Sequence, residues 1–98
     1  MKYRRSPLAE ADLDSIWLHI ALESGNVEIA DRFLDSIVDR FLLLAAHPHV
    51  GRARDEDLRA GIRSFPIGDY LILYTIENAE VMILRVMHGK RDIPAQVG

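Results

Sequence analysis

The sequence lacks several features that would each point to a different class of protein. It contains no cysteine, so disulfide bonds and thiolate chemistry are excluded. No apolar run reaches the ~18 residues of a transmembrane helix, and the N-terminus has no apolar signal core. Neither a glycine-rich phosphate loop nor a nucleophile motif occurs. These absences predict a cytoplasmic protein with no membrane span and no cofactor.

Basic residues are few in one half of the chain. The net charge of the 98 residues is −3, but positions 8–50 carry eight acids and only Arg32 and Arg40, which gives this segment a charge of −6. The asymmetry fits either two surfaces with different partners or two ordinary solvated faces. The length indicates a single domain over residues 1–98.

Two amphipathic helices are predicted in the N-terminal half. Ser6-Pro7 is a typical helix start, because serine caps free backbone amides and proline at the first helical position loses no hydrogen bond. Apolar residues then recur at helical spacing up to position 20 and again over positions 30–45. The short Ser24-Gly25-Asn26 break predicts that the helices lie antiparallel, and Pro48 ends the second one.

The C-terminal half is predicted to form strands. Residues 70–76 and 81–87 are almost unbroken apolar runs, and the four residues between them are typical of a hairpin turn. Shorter strands are expected at 2–5 and 62–65, with a polar loop from Gly51 to Asp57. The predicted fold is α+β, in which a strand, an antiparallel helix hairpin and three strands form a mainly antiparallel sheet with the hairpin packed on it (β-α-α-β-β-β).

Four sequence blocks resemble ParE-type toxins of the ParE/RelE superfamily, and they occur in the family's order over nearly the whole chain. They are SPLAEADL at 6–13 with IW at 16–17, HP at 47–48 with GR at 51–52, GIRSF at 61–65 with GDYLILY at 68–74, and VMILRVMHGKRD at 81–92. Together they are specific to the superfamily rather than to one of its branches.

The resemblance implies a toxin of a type II toxin–antitoxin system that forms a hetero-oligomer with a ParD-like antitoxin and reaches DNA only through that complex. For ParE members it implies a non-enzymatic toxin that inhibits DNA gyrase and so blocks replication. For RelE members it implies cleavage of messenger RNA on the ribosome. A third alternative is a regulatory member that binds its antitoxin without being toxic.

A nuclease site would draw on Glu56, Arg63, Arg85 and His88, since cleavage through the 2′-hydroxyl needs a base, an acid and cations. The chain argues against such a site, because it has only two lysines and no tyrosine beyond Tyr74. In a regular strand, moreover, Arg85 shares a face with Ile83 and Met87, whereas His88 lies on the other face with Val86 and Leu84. A bulge near Met87 could bring Arg85 and His88 together, but the sequence does not demand one. We therefore expect no catalytic residues. We also expect no metal site, since His47 and His49 have no third ligand at metal-site spacing.

Two contact surfaces are predicted. Some leucines fall outside the apolar stripes of the helices and are assigned to antitoxin binding: Leu18, Leu22, Leu42 and Leu43. The family pattern at the basic end of the chain implies target contact by Arg85, His88, Lys90 and Arg91. The simpler alternatives are leucines that are isolated on the surface or covered by a tail, and a solvated chain end.

Overall fold

The computed structural model describes residues 1–89 and confirms the predicted α+β order. Its elements are β1 (Lys2–Arg5), α1 (Pro7–Ser24), α2 (Val27–Ala46), β2 (Arg52–Ala53), β3 (Arg63–Ile67), β4 (Tyr70–Glu77) and β5 (Glu80–His88). The additional element is β2, which lies in the segment predicted to be a loop. Its two residues pair with Ser64 and Arg63 of β3, so a partner strand rather than a local sequence signal defines it.

Polar caps define the helix hairpin. The Ser6 hydroxyl accepts a hydrogen bond from the Ala9 amide at 3.0 Å, and the Asn26 side chain accepts from the first amides of α2. Between the helices, Gly25 adopts a left-handed conformation with φ 65°, which glycine allows at little steric cost. The Ser6 cap and the break at Ser24-Gly25-Asn26 are both where the sequence predicts them.

The five strands form one sheet in the order β1-β5-β4-β3-β2, in which β1 is parallel to β5 and the other neighbours are antiparallel. The helix hairpin covers one face of the sheet and forms the main core with it. Fully buried members of that core are Ala9, Ile37, Phe41, Leu44, Ile72, Tyr74, Val81 and Ile83. A smaller cluster of Ile62, Leu73 and Met87 lies on the opposite face, where Leu58 packs against it.

A β-bulge interrupts β5. Tyr74 pairs with Ile83 and Leu73 pairs with Arg85, so Leu84 is the extra residue. The expectation of regular alternation through β5 was therefore wrong. Ile83 and Val86 both join the main core under the helices, while Leu84 and Met87 belong to the cluster on the other face. A regular strand would have put Met87 on the face of Ile83, and Leu84 on the face of Val86.

The β4–β5 turn gives a stability prediction. Asn78 (φ 51°) and Ala79 (φ 62°) both lie in the left-handed region, where a side chain at Ala79 costs energy that glycine avoids. Ala79→Gly is expected to raise the free energy of unfolding by about 0.5–1 kcal/mol. Urea unfolding followed by circular dichroism measures the change.

The reverse exchange at Gly25 serves as the matched control. A Cβ there meets no atom within 4 Å, so Gly25→Ala should lower the free energy of unfolding by roughly 1 kcal/mol through backbone strain alone. An unfolding midpoint that Ala79→Gly leaves unchanged or lowers would contradict the argument.

Candidate functional site

The carboxylate of Asp12, on α1, binds the bulge of β5. Its Oδ2 accepts hydrogen bonds from Arg85 Nε at 2.8 Å and from the Val86 amide at 2.9 Å, and its Oδ1 accepts from Arg85 Nη2 at 3.0 Å. Both side chains are largely buried, with 16% of Asp12 and 21% of Arg85 exposed. The hydrogen bonds that Arg85 donates to Asp12 raise the pKa of the Arg85 guanidinium, so this cation stays charged and paired.

Ser6 binds the same stretch of β5. Its amide donates to the Ile83 carbonyl at 2.9 Å, and its hydroxyl donates to the Leu84 carbonyl at 2.7 Å. The pairing of β1 with β5 ends at Arg5 and Ile83. Ser6 and Asp12 therefore satisfy the backbone of β5 beyond the point where β1 stops.

An aromatic stack forms at the end of β5. The His88 ring lies edge-on to Tyr70 with the centroids 5.5 Å apart, and Tyr70 lies 5.7 Å from Phe33 of α2. Because Tyr70 and Phe33 pack against the main core, the stack holds His88 on the helix side of the sheet. The other residues predicted to contact the target, Lys90 and Arg91, lie outside the described residues.

The possible nuclease residues contact other parts of the fold. Arg63 donates hydrogen bonds to the carbonyls of Gly51 and His49, each at 3.1 Å, and Arg85 is bound to Asp12. These two arginines lie on β3 and β5, with β4 between them, which separates their backbones by about 10 Å. Glu56 is exposed in the loop between β2 and β3. Each arginine therefore already holds a structural contact.

Tyr74 and Arg63 together hold the segment that follows α2. The Tyr74 hydroxyl donates to the Pro48 carbonyl at 2.7 Å and accepts from the Gly51 amide at 2.9 Å. A Cβ on Gly51 would overlap this hydroxyl, so glycine is required for the close approach. The HP and GR block of the sequence thus has a packing role in this structure.

A second ion pair between an arginine and an aspartate lies in the loop after β2. Arg54 binds the Asp57 carboxylate and donates to the Ser64 hydroxyl at 3.1 Å. The hydrogen bonds from Arg54 hold the pKa of Asp57 below its ordinary value. Within this loop, Arg54 and Asp57 therefore neutralise each other.

The outward side of α1 carries a line of exposed residues, which we call the outer stripe. Its leucines are exposed by 60% (Leu8), 52% (Leu18) and 73% (Leu22). Ala11 and Ser15 complete the line, and the spacing of three and four residues places all five on one side of the helix. Leu18 and Leu22 were predicted from the sequence but Leu8 was not, although Leu8, Ser15 and Leu22 follow one another at seven-residue spacing.

Leu42 and Leu43 are also exposed, by 55% and 36%, but they lie at the other end of the hairpin. The hydrogen bond from Trp17 Nε1 to Asp31 Oδ1, at 2.7 Å, marks where the two helices face each other near their turn. Leu42 lies roughly 16 Å further along α2, at 1.5 Å per residue. The four predicted leucines therefore do not form a single patch.

The sequence of the chain matches the family model described as "ParE toxin of type II toxin-antitoxin system, parDE" over residues 3–93. The chain belongs to the ParE family of type II toxins. Toxin ParE1 of Caulobacter vibrioides is 36% identical over 98% of this chain and 97% of its own length.

Two solved structures share the fold of this ParE-family toxin. A chain of the chromosomal ParDE system from P. aeruginosa superposes with a TM-score of 0.78 at 24% identity, covering 90% of this chain and 95% of that one. A chain of the toxin–antitoxin complex RelBE2 from Mycobacterium tuberculosis gives 0.66 at 29% identity, covering 89% and 95%. The fold is therefore shared by both branches of the superfamily.

Neither a metal site nor a membrane span is found in the part of the chain that the structure describes. Within residues 1–89, no group of three histidine, aspartate or glutamate side chains could hold a metal ion. No helix in that range combines the length and the apolar character that crossing a bilayer requires.

Tyr74→Phe tests the contact that holds the segment after α2. The variant leaves the buried Gly51 amide without its partner, so the free energy of unfolding should fall by about 1–3 kcal/mol. Chemical denaturation measures the change. Tyr3→Phe removes a hydroxyl from a half-buried tyrosine at the edge of the same core and should change stability by less than about 0.5 kcal/mol. Equal losses in the two variants would refute the role given to the Tyr74 hydroxyl.

Proposed function

We propose that this ParE-family toxin inhibits DNA gyrase without catalysing a reaction, and that a ParD-like antitoxin neutralises it. The observation that carries the non-enzymatic part is the use of both candidate arginines in the fold. Arg85 pairs with Asp12, and Arg63 binds the segment after α2. RNA cleavage needs cations directed at a phosphate beside a base and an acid, and these two guanidinium groups are already engaged.

The proposed target-contact surface is the end of β5. His88 stands there on Tyr70, followed by the basic Lys90 and Arg91. We include Arg85 in this surface because its contact with Asp12 supports the part of β5 that carries His88. A half-buried aromatic group beside basic residues resembles the composition of interface centres, where aromatic residues and arginine are enriched.

The proposed antitoxin site is the outer stripe of α1, extended along the hairpin towards Leu42 and Leu43. An amphipathic helix can bury exposed leucines at helical spacing on its own apolar face. Exposed acids on the neighbouring helix, among them Asp35 and Asp39, favour a partner that carries basic residues beside its apolar ones. The −6 charge of residues 8–50 is consistent with such a partner.

The alternative is a RelE-like endonuclease that cleaves messenger RNA on the ribosome. It is favoured by the 29% identity and the TM-score of 0.66 to a chain of the RelBE2 complex. In that case Glu56, Arg63, Arg85 and His88 would have to supply the chemistry. Arg63 and Arg85 would first have to leave the contacts that they make in this structure.

The antitoxin site is tested by Leu18→Ser with Leu22→Ser. Each leucine buried in a complex contributes about 1.5–3 kcal/mol, so losing two should weaken antitoxin binding by roughly 100-fold or more. Isothermal titration with the product of the neighbouring reading frame, where that frame encodes a short ribbon-helix-helix-like protein, measures the affinity. Val50→Ser, which changes an exposed residue outside the hairpin, should leave it within about twofold. Unchanged affinity in the double variant would remove the outer stripe from the proposal.

The target is tested by supercoiling with purified gyrase and ATP. The toxin should inhibit supercoiling, cleaved DNA should accumulate, and the antitoxin should reverse both effects. His88→Ala should raise the inhibitory concentration by about tenfold, the loss of one interface contact of ~1.4 kcal/mol, whereas His49→Ala in the exposed segment after α2 should not. If the folded toxin has no effect on an active gyrase, the gyrase proposal fails. Cleavage of messenger RNA on translating ribosomes would then identify the RelE alternative, and inactivity in both assays a purely antitoxin-binding protein.

A further inference from the structure

We propose that Asp12 is a positioning residue for the target-contact surface, because its carboxylate fixes the bulge of β5 and the bulge decides on which face of the sheet His88 lies. The inference rests on the proposed function in taking the end of β5 as the surface that meets the target. It assigns to α1 a role in presenting that surface.

The bulge sets the orientation of everything that follows it in β5. Side chains in a strand alternate between faces, and a shift of one residue moves each of them to the other face. Val81 and Ile83 precede the bulge and lie on the helix side. Because Leu84 is the extra residue, Val86 again lies on the helix side. His88 lies on the same side and contacts Tyr70. In a regular strand His88 would instead lie on the face of the smaller cluster.

Asp12 is placed to hold this irregular strand. On the side of β5 where β1 has ended, the Val86 amide donates to Asp12 Oδ2 at 2.9 Å. The same oxygen accepts from Arg85 Nε at 2.8 Å. One atom therefore binds the side chain of Arg85 and the backbone of Val86, the two residues just after the bulge. Because Asp12 is only 16% exposed, water competes weakly for these hydrogen bonds.

Ser6 binds β5 at the start of the bulge, on the N-terminal side of the residues that Asp12 binds. Its contacts reach the carbonyls of Ile83 and Leu84, which leaves the orientation of Arg85 and Val86 to Asp12. The two residues thus have separate tasks. Ser6 joins β5 to the start of α1, and Asp12 determines how the strand continues towards His88.

The experiment compares three variants of the full chain. Asp12→Ala removes the three hydrogen bonds that the Asp12 carboxylate accepts from Arg85 and Val86. In the double variant D12N with R85Q, the nitrogen bonded to Cδ of Gln takes the place of Arg85 Nε, and the amide oxygen of Asn takes the place of Asp12 Oδ2. This pair retains both hydrogen bonds to one oxygen and removes both charges. Asp14→Ala removes a charge from an exposed position of the same helix and serves as the control.

Three quantities are measured for each folded variant: the nuclear Overhauser contact between the His88 and Tyr70 rings, the concentration that inhibits gyrase, and the affinity for the antitoxin. Asp12→Ala should lose the ring contact and inhibit gyrase at least about tenfold less well, with antitoxin affinity within about twofold. The double variant should recover the ring contact and, with it, the part of the inhibition that depends on the position of His88, so that it inhibits gyrase better than Asp12→Ala. Asp14→Ala should match the unmodified toxin in all three.

Retention of the ring contact in Asp12→Ala overturns the proposal, and so does its loss without any change in inhibition. If Asp12→Ala does not fold, the double variant decides, since it must keep the ring contact. An equal loss of antitoxin binding and gyrase inhibition would mean a general structural role and would also overturn it. If the unmodified toxin leaves gyrase unaffected, the proposed function fails by itself, and the ring contact still decides whether Asp12 positions His88.

Discussion

The contact of the Asp12 carboxylate with Arg85 and Val86 is the constraint on which the arrangement of this small domain depends. β5 pairs with β1 and β4 and packs under both α1 and α2, so it contacts strands and helices alike. Its pairing with β1 lasts only as far as Ile83. Beyond that residue the first turns of α1 take over the role of a neighbouring strand, and β1, α1 and β5 become one structural unit.

Elements with local signals could be predicted from the sequence. Ser6 and Asn26 accept hydrogen bonds from helix amides, and Gly25 adopts the left-handed conformation that a helix end favours. The features that were missed depend on residues far away in the chain. β2 exists only because β3 pairs with it, and the bulge is bound by an aspartate 74 positions from Val86. No periodicity within β5 records that contact.

The residues of the candidate site likewise include features that the sequence could predict and features that it could not. The exposure of Leu18 and Leu22 is confirmed, since it follows from helical geometry alone; their part in antitoxin binding is still a prediction. The surroundings of the arginines could not be predicted, because Arg63 binds the carbonyls of Gly51 and His49 across a loop. A sequence shows that a cation is present, but whether it faces a ligand or a carbonyl depends on the tertiary fold.

The opposite sides of α1 impose a condition on neutralisation. Leu13 and Ile16 are buried in the core and Asp12 is bound to β5, whereas Leu18 and Leu22 face outward. An antitoxin helix bound to the outer stripe, as proposed, therefore lies opposite the core-facing side of α1, whereas His88 contacts Tyr70 on the face of the sheet that the hairpin covers. A helix confined to the stripe would leave His88 uncovered. An antitoxin that neutralises the toxin by covering His88 must therefore continue past the stripe to the end of β5. A shorter antitoxin would have to keep the target away by steric hindrance.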